Sequence, residues 1–253
     1  MQVQLIRNAT LLLQVAGKTL LVDPLLAPRA QYDPIPQTAN AVRNPTADLP
    51  FAATELPALL ASLDAVLLTH THLDHWDTVA QQLLPKDLPI LCQPADVETL
   101  QAAGFTQVRH IDTQLDWEGI RFFRTGGQHG TGEIGKMMGT VSGFVVEAQG
   151  QRLYIAGDTI WCEEVQQALD LYHPNSIIVN AGAAQFLQGG PIVMTAADVA
   201  QVARHAPQAT VYAVHLEAVN HCAEDRATTR AYLAQQGLTA QAHVPNDGEW
   251  LTV

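Results

Sequence analysis

The densest group of potential metal ligands in the sequence lies between residues 70 and 75. Within six positions the chain offers three histidines and one aspartate: His70, His72, Asp74 and His75. Neutral imidazole together with carboxylate suits zinc and similar divalent ions. The apolar run at 65–68 predicts a buried strand. Polar side chains are costly to bury without partners, so four of them shortly after such a strand need a function that explains their position. The segment therefore predicts a metal site.

Three further candidates lie after or beside other predicted strands. His129 lies in a glycine-rich loop, Asp158 follows the apolar run at 153–157, and His215 follows the run at 211–214. Strands are rigid, so ligands delivered from their ends to one rim make a well-positioned site. With the first group this makes seven candidate ligands, enough for two ions with a shared carboxylate and open positions for water.

The segment His70-Thr71-His72-Leu73-Asp74-His75 matches the HxHxDH signature of the metallo-β-lactamase superfamily. The resemblance covers almost the whole chain, and its other parts occur in the family's order: Leu21-Val22-Asp23-Pro24, His129, Gly157-Asp158-Thr159 and His215. The combination most resembles the branch of metal-dependent hydrolases that includes the ascorbate-6-phosphate lactonase-like proteins. The resemblance implies an α/β fold, an αβ/βα four-layer sandwich with two central mixed β-sheets flanked by helices and a dinuclear site at one edge.

The resemblance also implies a role for each candidate ligand. It divides them between two ions and a bridge: His70, His72 and His129 for the first ion, Asp74, His75 and His215 for the second, and Asp158 for both. Asp23 resembles a residue of the family that hydrogen-bonds a ligand histidine, and such a partner fixes the tautomer and the ring orientation.

Other histidines compete for these roles. His110 is the nearby rival of His129, but it lies within a predicted strand rather than a loop. His221 competes with His215 and is otherwise a residue that contacts substrate or supports a ligand. His221 and a metal-bound water are the two candidates for protonating the leaving group. The remaining histidines are expected at the surface or at helix ends: His173, His205 and His243.

The order of the predicted elements agrees with a sandwich. Short β-rich runs form hairpins near the start of each half, and strands alternating with helices follow, which indicates two packed sheets flanked by helices. No linker or low-complexity tract interrupts residues 1–253, so we expect one hydrolase domain. Helices are expected at 54–63, 76–84, 95–103, 163–171, 196–205 and 225–236. The proline-rich stretch 27–50 is expected to be a loop, either functional or merely exposed.

The composition restricts the partners. The net charge of −12 and the pI near 5.1 argue against nucleic acid as a ligand, because phosphate binding needs a basic surface. A small anionic substrate stays compatible, since a metal ion supplies local positive charge. Three widely spaced cysteines, no basic-then-apolar leader and no apolar run of about 18 residues predict a cytoplasmic protein that does not enter the membrane.

The expected activity is metal-dependent hydrolysis by a metal-bridging hydroxide on a small ester or lactone, with Asp74 orienting the nucleophile. Zinc is the expected ion, and manganese or iron suit the same ligands. A phosphodiesterase acting on a small phosphodiester is the first alternative. A non-catalytic metal-binding or sensing protein is the second. A di-iron redox protein with a flavin partner is the third, although no flavodoxin-like segment follows in the sequence.

Overall fold

Two seven-stranded mixed β-sheets form the centre of the structure, a computed structural model that describes residues 1–253. The first sheet has the order β14-β1-β2-β3-β4-β5-β6. Its strands are β1 (Gln2–Arg7), β2 (Thr10–Val15), β3 (Lys18–Val22), β4 (Ala65–Leu68), β5 (Ile90–Cys92), β6 (Val108–His110) and β14 (Trp250–Leu251). Pairing is antiparallel from β14 to β3 and parallel from β3 to β6.

The second sheet repeats this plan with the order β13-β12-β11-β10-β9-β8-β7. Its strands are β7 (Gln114–Trp117), β8 (Ile120–Thr125), β9 (Gly143–Ala148), β10 (Gln151–Ile155), β11 (Ser176–Asn180), β12 (Thr210–Val214) and β13 (Ala242–His243). Pairing is antiparallel from β7 to β10 and parallel from β10 to β13. Antiparallel hairpins followed by strand–helix alternation in both halves confirm the predicted arrangement.

Alternating side chains build the layers, because successive residues of a strand point to opposite faces of the sheet. In β4, Leu67 lies in the core between the two sheets, whereas Val66 and Leu68 lie in a core on the outer face. In β10, Leu153 lies in the core between the sheets and Tyr154 in the outer core of the second sheet. Three apolar layers therefore separate four layers of structure, and the predicted αβ/βα sandwich is confirmed.

Seven α-helices cover the outer faces of the sheets or connect the strands. They are α1 (Leu56–Ala61), α2 (Thr78–Leu83), α3 (Val97–Ala102), α4 (Gly132–Met138), α5 (Glu163–Tyr172), α6 (Ala196–His205) and α7 (Arg226–Gln235). Leu56, Ala80 and Leu100 belong to the apolar layer over the first sheet, and Val165 and Val199 belong to the layer over the second. None of the helices has the length and apolar character that crossing a bilayer requires.

Helix ends and short elements differ most from the sequence-based expectations. Helix α1 begins after Glu55 and ends at Ala61, so it is shorter at both ends than the predicted range of 54–63. Helix α2 begins after Asp77. The carboxylate of Asp77 caps the helix by accepting a hydrogen bond from the amide of Ala80. A short 3-10 turn, Pro94–Asp96, precedes α3. Four elements were not predicted, namely α4, β7, β13 and β14, which are all short.

Candidate metal centre

The candidate ligands lie where strands of both sheets end. Residues 70–75 follow β4, Asp158 follows β10 after two residues, and His215 follows β12 directly. The segment after β4 turns back on itself, because the carbonyl of His72 accepts hydrogen bonds from the amides of His75 (3.0 Å) and Trp76 (2.8 Å). This turn brings His75 to the same side as His70, with their ring centroids 4.1 Å apart.

Three histidines form what we call the first ligand group: His70, His72 and His129. The Nε2 atom of His70 lies 3.0 Å from the Nδ1 atom of His72. His129 comes from the loop before α4, and that loop is tied to the segment around Asp158. The amide of Gln128 donates to the hydroxyl of Thr159 (2.9 Å), and the amide of Ile160 donates to the carbonyl of Gln128 (2.9 Å).

Two carboxylates and two histidines form the second ligand group: Asp74, His75, Asp158 and His215. The Nε2 atom of His215 lies 3.1 Å from Oδ2 of Asp74, and the Nε2 atom of His75 lies 3.2 Å from Oδ2 of Asp158. In each group the potential ligand atoms lie within 4.8 Å of one another. The structure thus brings the seven predicted ligands together in two groups, and Asp158, which the resemblance assigns to both ions, is in the second group.

One oxygen of Asp158 faces histidines of both groups. Its Oδ2 atom lies 3.5 Å from His129 Nε2 and 4.0 Å from His70 Nε2 in the first group. In the second group it lies 3.2 Å from His75 Nε2 and 3.8 Å from His215 Nε2. The other oxygen, Oδ1, accepts a 2.6 Å hydrogen bond from the side-chain amide of Asn180 at the end of β11. Asn180 therefore holds the carboxylate so that a single oxygen lies between the groups.

The backbone has an unusual conformation at one ligand, His215, and at the residue before another, Gly157. Gly157 has φ +68°, and a Cβ atom there would lie 2.6 Å from the carbonyl oxygen of Ser142, so the residue before Asp158 must be glycine. His215 has φ +67°, a conformation that side-chain-bearing residues rarely adopt. Its amide donates to the carbonyl of Asn8 (2.9 Å). Strain of this kind persists where the surrounding structure fixes the residue, and it is frequent at functional sites.

Hydrogen bonds at Nδ1, on the side of the ring away from the centre, orient three of the ligand histidines. Nδ1 of His75 donates to Oδ2 of Asp23 (2.9 Å), and Nδ1 of His129 donates to the carbonyl of Ile192 (2.7 Å). The hydroxyl of Thr69 donates to Oδ2 of Asp23 (2.7 Å), so it accepts from Nδ1 of His70 at 3.0 Å. The Nδ1 proton of each of these three rings is donated away from the centre, so Nε2 is the nitrogen that faces the centre and can bind an ion.

The centre fits divalent metal ions. Nε2 of His75 is buried and has no hydrogen-bond partner, which is costly unless a further ligand completes its environment. Imidazole nitrogens and carboxylate oxygens are the donors that zinc and related ions prefer. The two groups, with the oxygen of Asp158 between them, can hold two such ions.

Comparison with known proteins identifies the family. Residues 18–216 match the Beta-lactamase superfamily domain. The chain is 37% identical over 256 residues to the UPF0173 protein YddR of Bacillus subtilis, with all of both chains covered.

The chain belongs to the metallo-β-lactamase superfamily. Within it, the protein is a UPF0173 metal-dependent hydrolase.

Two solved structures superpose over the full length of the chain. One is described as a possible metal-dependent hydrolase from Veillonella parvula, with a TM-score of 0.95, 38% identity and coverage of 100% of this chain and 99% of the other. The other is described as an isothiocyanate hydrolase from Delia radicum gut bacteria, with a TM-score of 0.94, 36% identity and the same coverage. These relatives support the hydrolase family and the fold, whereas the lactonase-like branch remains a prediction.

Electrostatics distinguish the two ligand groups of this hydrolase. Burial opposes the charged form of His75, but Asp158, Asp74 and Asp23 outweigh it and raise its pKa to about 10. Burial likewise opposes the charge on Asp158, yet His75 and His215 hold the pKa of this carboxyl well below its usual value. In contrast, burial lowers the pKa of His129. Before metal binds, protons therefore occupy histidines of the second group.

Neither ligand group contains the residues His110, His205, Cys92, Cys162 or Trp76. His110 is exposed in β6, and His205 pairs with Asp170. Cys92 and Cys162 are buried, and burial raises the pKa of both thiols. Trp76 packs with Phe105 over the first sheet, as an aromatic core residue does.

His221 lies next to the centre rather than in either ligand group. It is buried, its ring centroid is 6.4 Å from that of His215, and its Nδ1 atom has no hydrogen-bond partner. Burial lowers the pKa of its imidazole to about 4, so the ring is neutral at physiological pH.

Two asparagines of the site were not predicted. Asn180 orients Asp158, and the side chain of Asn8 donates to the carbonyl of Asp74 (3.1 Å). The sequence could have indicated Asn180, because this polar residue directly follows the apolar residues 177–179 of β11, as the ligands follow other strands. Asn8 lies in the turn between β1 and β2, and only the folded chain brings it to Asp74.

Proposed function

We propose that this protein is a dinuclear hydrolase that adds water to an electrophilic carbon of a small, uncharged substrate. The observation that supports it is the shared oxygen of Asp158, which lies 3.2–4.0 Å from histidines of both ligand groups. When bound, two divalent ions, with zinc first by ligand type, supply Lewis acidity and lower the pKa of water towards about 7.

Each residue of the centre has a distinct part in this proposal. Three residues would hold the first ion, three would hold the second, and one lies between them and could serve both: His70, His72 and His129; Asp74, His75 and His215; and Asp158. Asp74 is also the candidate for orienting the nucleophile, since its side chain is partly accessible whereas Asp158 and the second-group histidines are almost fully buried.

His221 is the candidate for assisting the leaving group. Its neutral ring can donate a hydrogen bond, and burial, which lowers its pKa to about 4, prevents it from acting as an imidazolium acid near pH 7. We expect His221→Asn to lower the rate of the chemical step while metal content stays unchanged. Loss of metal in this variant would instead assign His221 a role in forming the centre.

The charges around the centre favour an uncharged substrate. All ion pairs of Asp74 and Asp158 are with histidines. The cations of the flanking loops are each paired with a carboxylate on the surface: Arg29 with Asp48, Arg43 with Asp33 and Lys136 with Glu133. Phosphate recognition commonly uses arginine or lysine directed at the ligand. This argues against a phosphodiester and against a phosphorylated lactone.

We place an organic isothiocyanate first among uncharged substrates. The reason is the relative described as an isothiocyanate hydrolase, which is 36% identical over the whole chain. The reaction balances as R–N=C=S + H₂O → R–NH₂ + O=C=S. The water oxygen bonds to the central carbon, the carbon–nitrogen bond breaks, and both protons of water end on the amine nitrogen.

A lactone or another small ester is the second candidate. Its support is the resemblance of residues 21–24, 70–75 and 157–159 to the lactonase-like branch. The attack is again on an electrophilic carbon, but the carbon–oxygen bond breaks and an alcohol and a carboxylic acid form. The same centre can carry out both reactions, so the substrate pocket must decide between them.

The test is a substrate panel with metal-replete protein. We expect turnover of alkyl isothiocyanates, weaker turnover of lactones or esters, and little of bis(p-nitrophenyl) phosphate. His72→Ala should abolish activity, whereas the surface variant His173→Ala should leave it unchanged. Absence of turnover on the whole panel despite two bound metals would favour a metal-binding or sensing protein. Bound iron with a visible absorption band would favour the di-iron alternative.

A further inference from the structure

A small cavity adjoins the centre at Asp74. Its volume is about 40 Å³. The residues that line it come from the loop after β3, from the turn between the ligands and from the segment after His215, and they include Tyr32, Ile35, Asn44, Leu73, Asp74 and Val219. Asp74 is the one of these residues that belongs to a ligand group. We call this space the side cavity.

The lining of the side cavity is mainly apolar. Ile35, Leu73 and Val219 contribute aliphatic side chains from three separate segments. Its one charged residue besides Asp74 is Asp33, which is exposed and paired with Arg43. An apolar cavity that shares Asp74 with a polar reaction centre suits the unreactive hydrocarbon part of a substrate, since specific polar contacts are few.

Hydrogen bonds hold the wall around Ile35 in place. The buried side chain of Asn220 accepts from the amide of Ile35 (3.0 Å) and from the side chain of Asn44 (2.8 Å). It donates to the carbonyl of Ile35 (3.2 Å) and to the hydroxyl of Thr38 (2.7 Å). The amide of Asn220 in turn donates to the side chain of Asn44 (2.8 Å). A buried network with its groups satisfied makes this wall rigid.

The opposite end of the same loop is fixed as well. Tyr32 and Asn44 form a backbone bridge with two hydrogen bonds of 2.7 and 3.0 Å. The hydroxyl of Tyr32 lies 2.9 Å from the hydroxyl of Thr78 at the start of α2. The backbone that carries the wall of the side cavity is therefore held at both ends of the loop.

We propose that the side cavity binds the apolar substituent of the substrate and limits its length to about three non-hydrogen atoms. The limit follows from volume, since one water-sized atom needs roughly 10–15 Å³ of such space and the cavity offers about 40 Å³. Ile35, Leu73 and Val219 are then the residues that determine specificity. This inference rests on the proposed function, because it takes the reacting carbon to lie at the metal centre.

Binding of alkyl hydroxamates tests the length limit without any turnover. A hydroxamate head group binds metal centres of many kinds, so the series from acetohydroxamate to octanohydroxamate varies only the tail. Calorimetric titration of metal-replete protein should show affinity rising about fourfold for each added methylene up to roughly a propyl tail, and no further gain beyond it. We call the tail length at which affinity stops rising the break in the series.

Ile35→Ala is the informative variant, because the Asn220 hydrogen bonds hold the backbone of Ile35 whatever its side chain. Removing about three carbons of the wall should move the break in the series to tails longer by two or three carbons. Leu83→Ala is the control, since it also shortens an aliphatic side chain but Leu83, on α2, does not line the side cavity. It should leave the break where it is.

The outcomes separate this inference from the proposed function. No break in the series, or a break that Ile35→Ala does not move, would overturn the side cavity as the tail site. If the break moves but no isothiocyanate, lactone or ester is hydrolysed, the side cavity stands as a tail site and the reaction class falls. If substrates turn over without any dependence on tail length, the reaction class stands and the side cavity falls.

Discussion

The first ligand group contains three histidines and no carboxylate, whereas the second contains two carboxylates and two histidines. In the first group, burial and the nearby His75 lower the pKa of His70 well below its usual value, and burial lowers that of His129. In the second, His75 has a pKa raised to about 10, and Asp158 and Asp74 raise that of His215 well above its usual value against the effect of burial.

In the proposed two-ion centre, the two metal positions therefore differ in protonation before any ion binds. His70 and His129 have lowered pKa values, so their neutral rings offer lone pairs at pH 7 and need not lose protons when an ion binds. The carboxylates of the second group are balanced by protonated histidines until a metal replaces those protons. The first position should therefore fill over a wide pH range, and the second should depend steeply on pH.

The largest effect is expected from Asp158→Ala, because this variant removes the oxygen between both groups. Bound metal should fall from two ions per chain to fewer than one, and hydrolysis should drop by a factor on the order of 10³. Elemental analysis and steady-state kinetics measure the two quantities. Asp170→Ala, which removes an exposed partner of His205 far from the centre, is the matched control. Unchanged metal content in Asp158→Ala would contradict the shared oxygen.

The pH dependence tests the comparison directly. A group whose pKa is raised holds its proton below that pKa, so His75 and His215 are protonated at pH 7.5 in the metal-free protein. Filling the second position should release about two protons, and its affinity should rise by up to about 100-fold per pH unit while both rings are protonated. His70 and His129, whose pKa values are lowered, should release none when the first position fills.

Calorimetry in buffers of different ionisation enthalpy counts these protons. The variant His72→Ala, which leaves the second group intact, should retain the release of about two protons on binding its remaining ion. His215→Ala should release about one proton fewer than the wild type. Equal proton release at the two positions would break the proposed contrast between the groups.

Asp23→Asn should weaken the second position more than the first. The carboxylate of Asp23 accepts directly from His75, whereas it reaches His70 only through the hydroxyl of Thr69. Loss of an outer partner of a ligand histidine typically lowers metal affinity 10–100-fold. Competition with a chromophoric chelator measures both affinities, and an equal loss at the two positions would show that Asp23 supports the whole centre rather than His75.

The smallest effect is expected from Thr69→Val. This variant keeps the shape of the side chain but removes the hydroxyl that accepts from His70 and donates to Asp23. The loss of the hydrogen bond to His70 should lower the affinity of the first position by roughly fivefold. The second position should be nearly unchanged, because His75 still donates directly to Asp23. The same chelator competition measures it. A larger effect at the second position would place Thr69 with Asp23 and His75 instead.

Much of the fold was readable because its signals are local. The apolar runs that became β4 and β12 have strand length and are followed by polar residues, and α6 matches its predicted range of 196–205. The short strands β13 and β14 have two residues each and depend on pairing with Tyr212 and Gln4 from distant strands. No local pattern marks a strand of that length, so tertiary contact alone defines it.

The sequence by itself determined the chemistry of this protein, since the types and spacing of His70, His72, Asp74 and His75 set which ligands one short segment can offer. Only the tertiary structure decided how those ligands are shared. It brings strand ends of two sheets to one edge, so that Asp158 faces both groups and Asn180 leaves it one free oxygen. It also shapes the side cavity from three distant segments. Such distances depend on the packing of the whole chain, which no single segment contains.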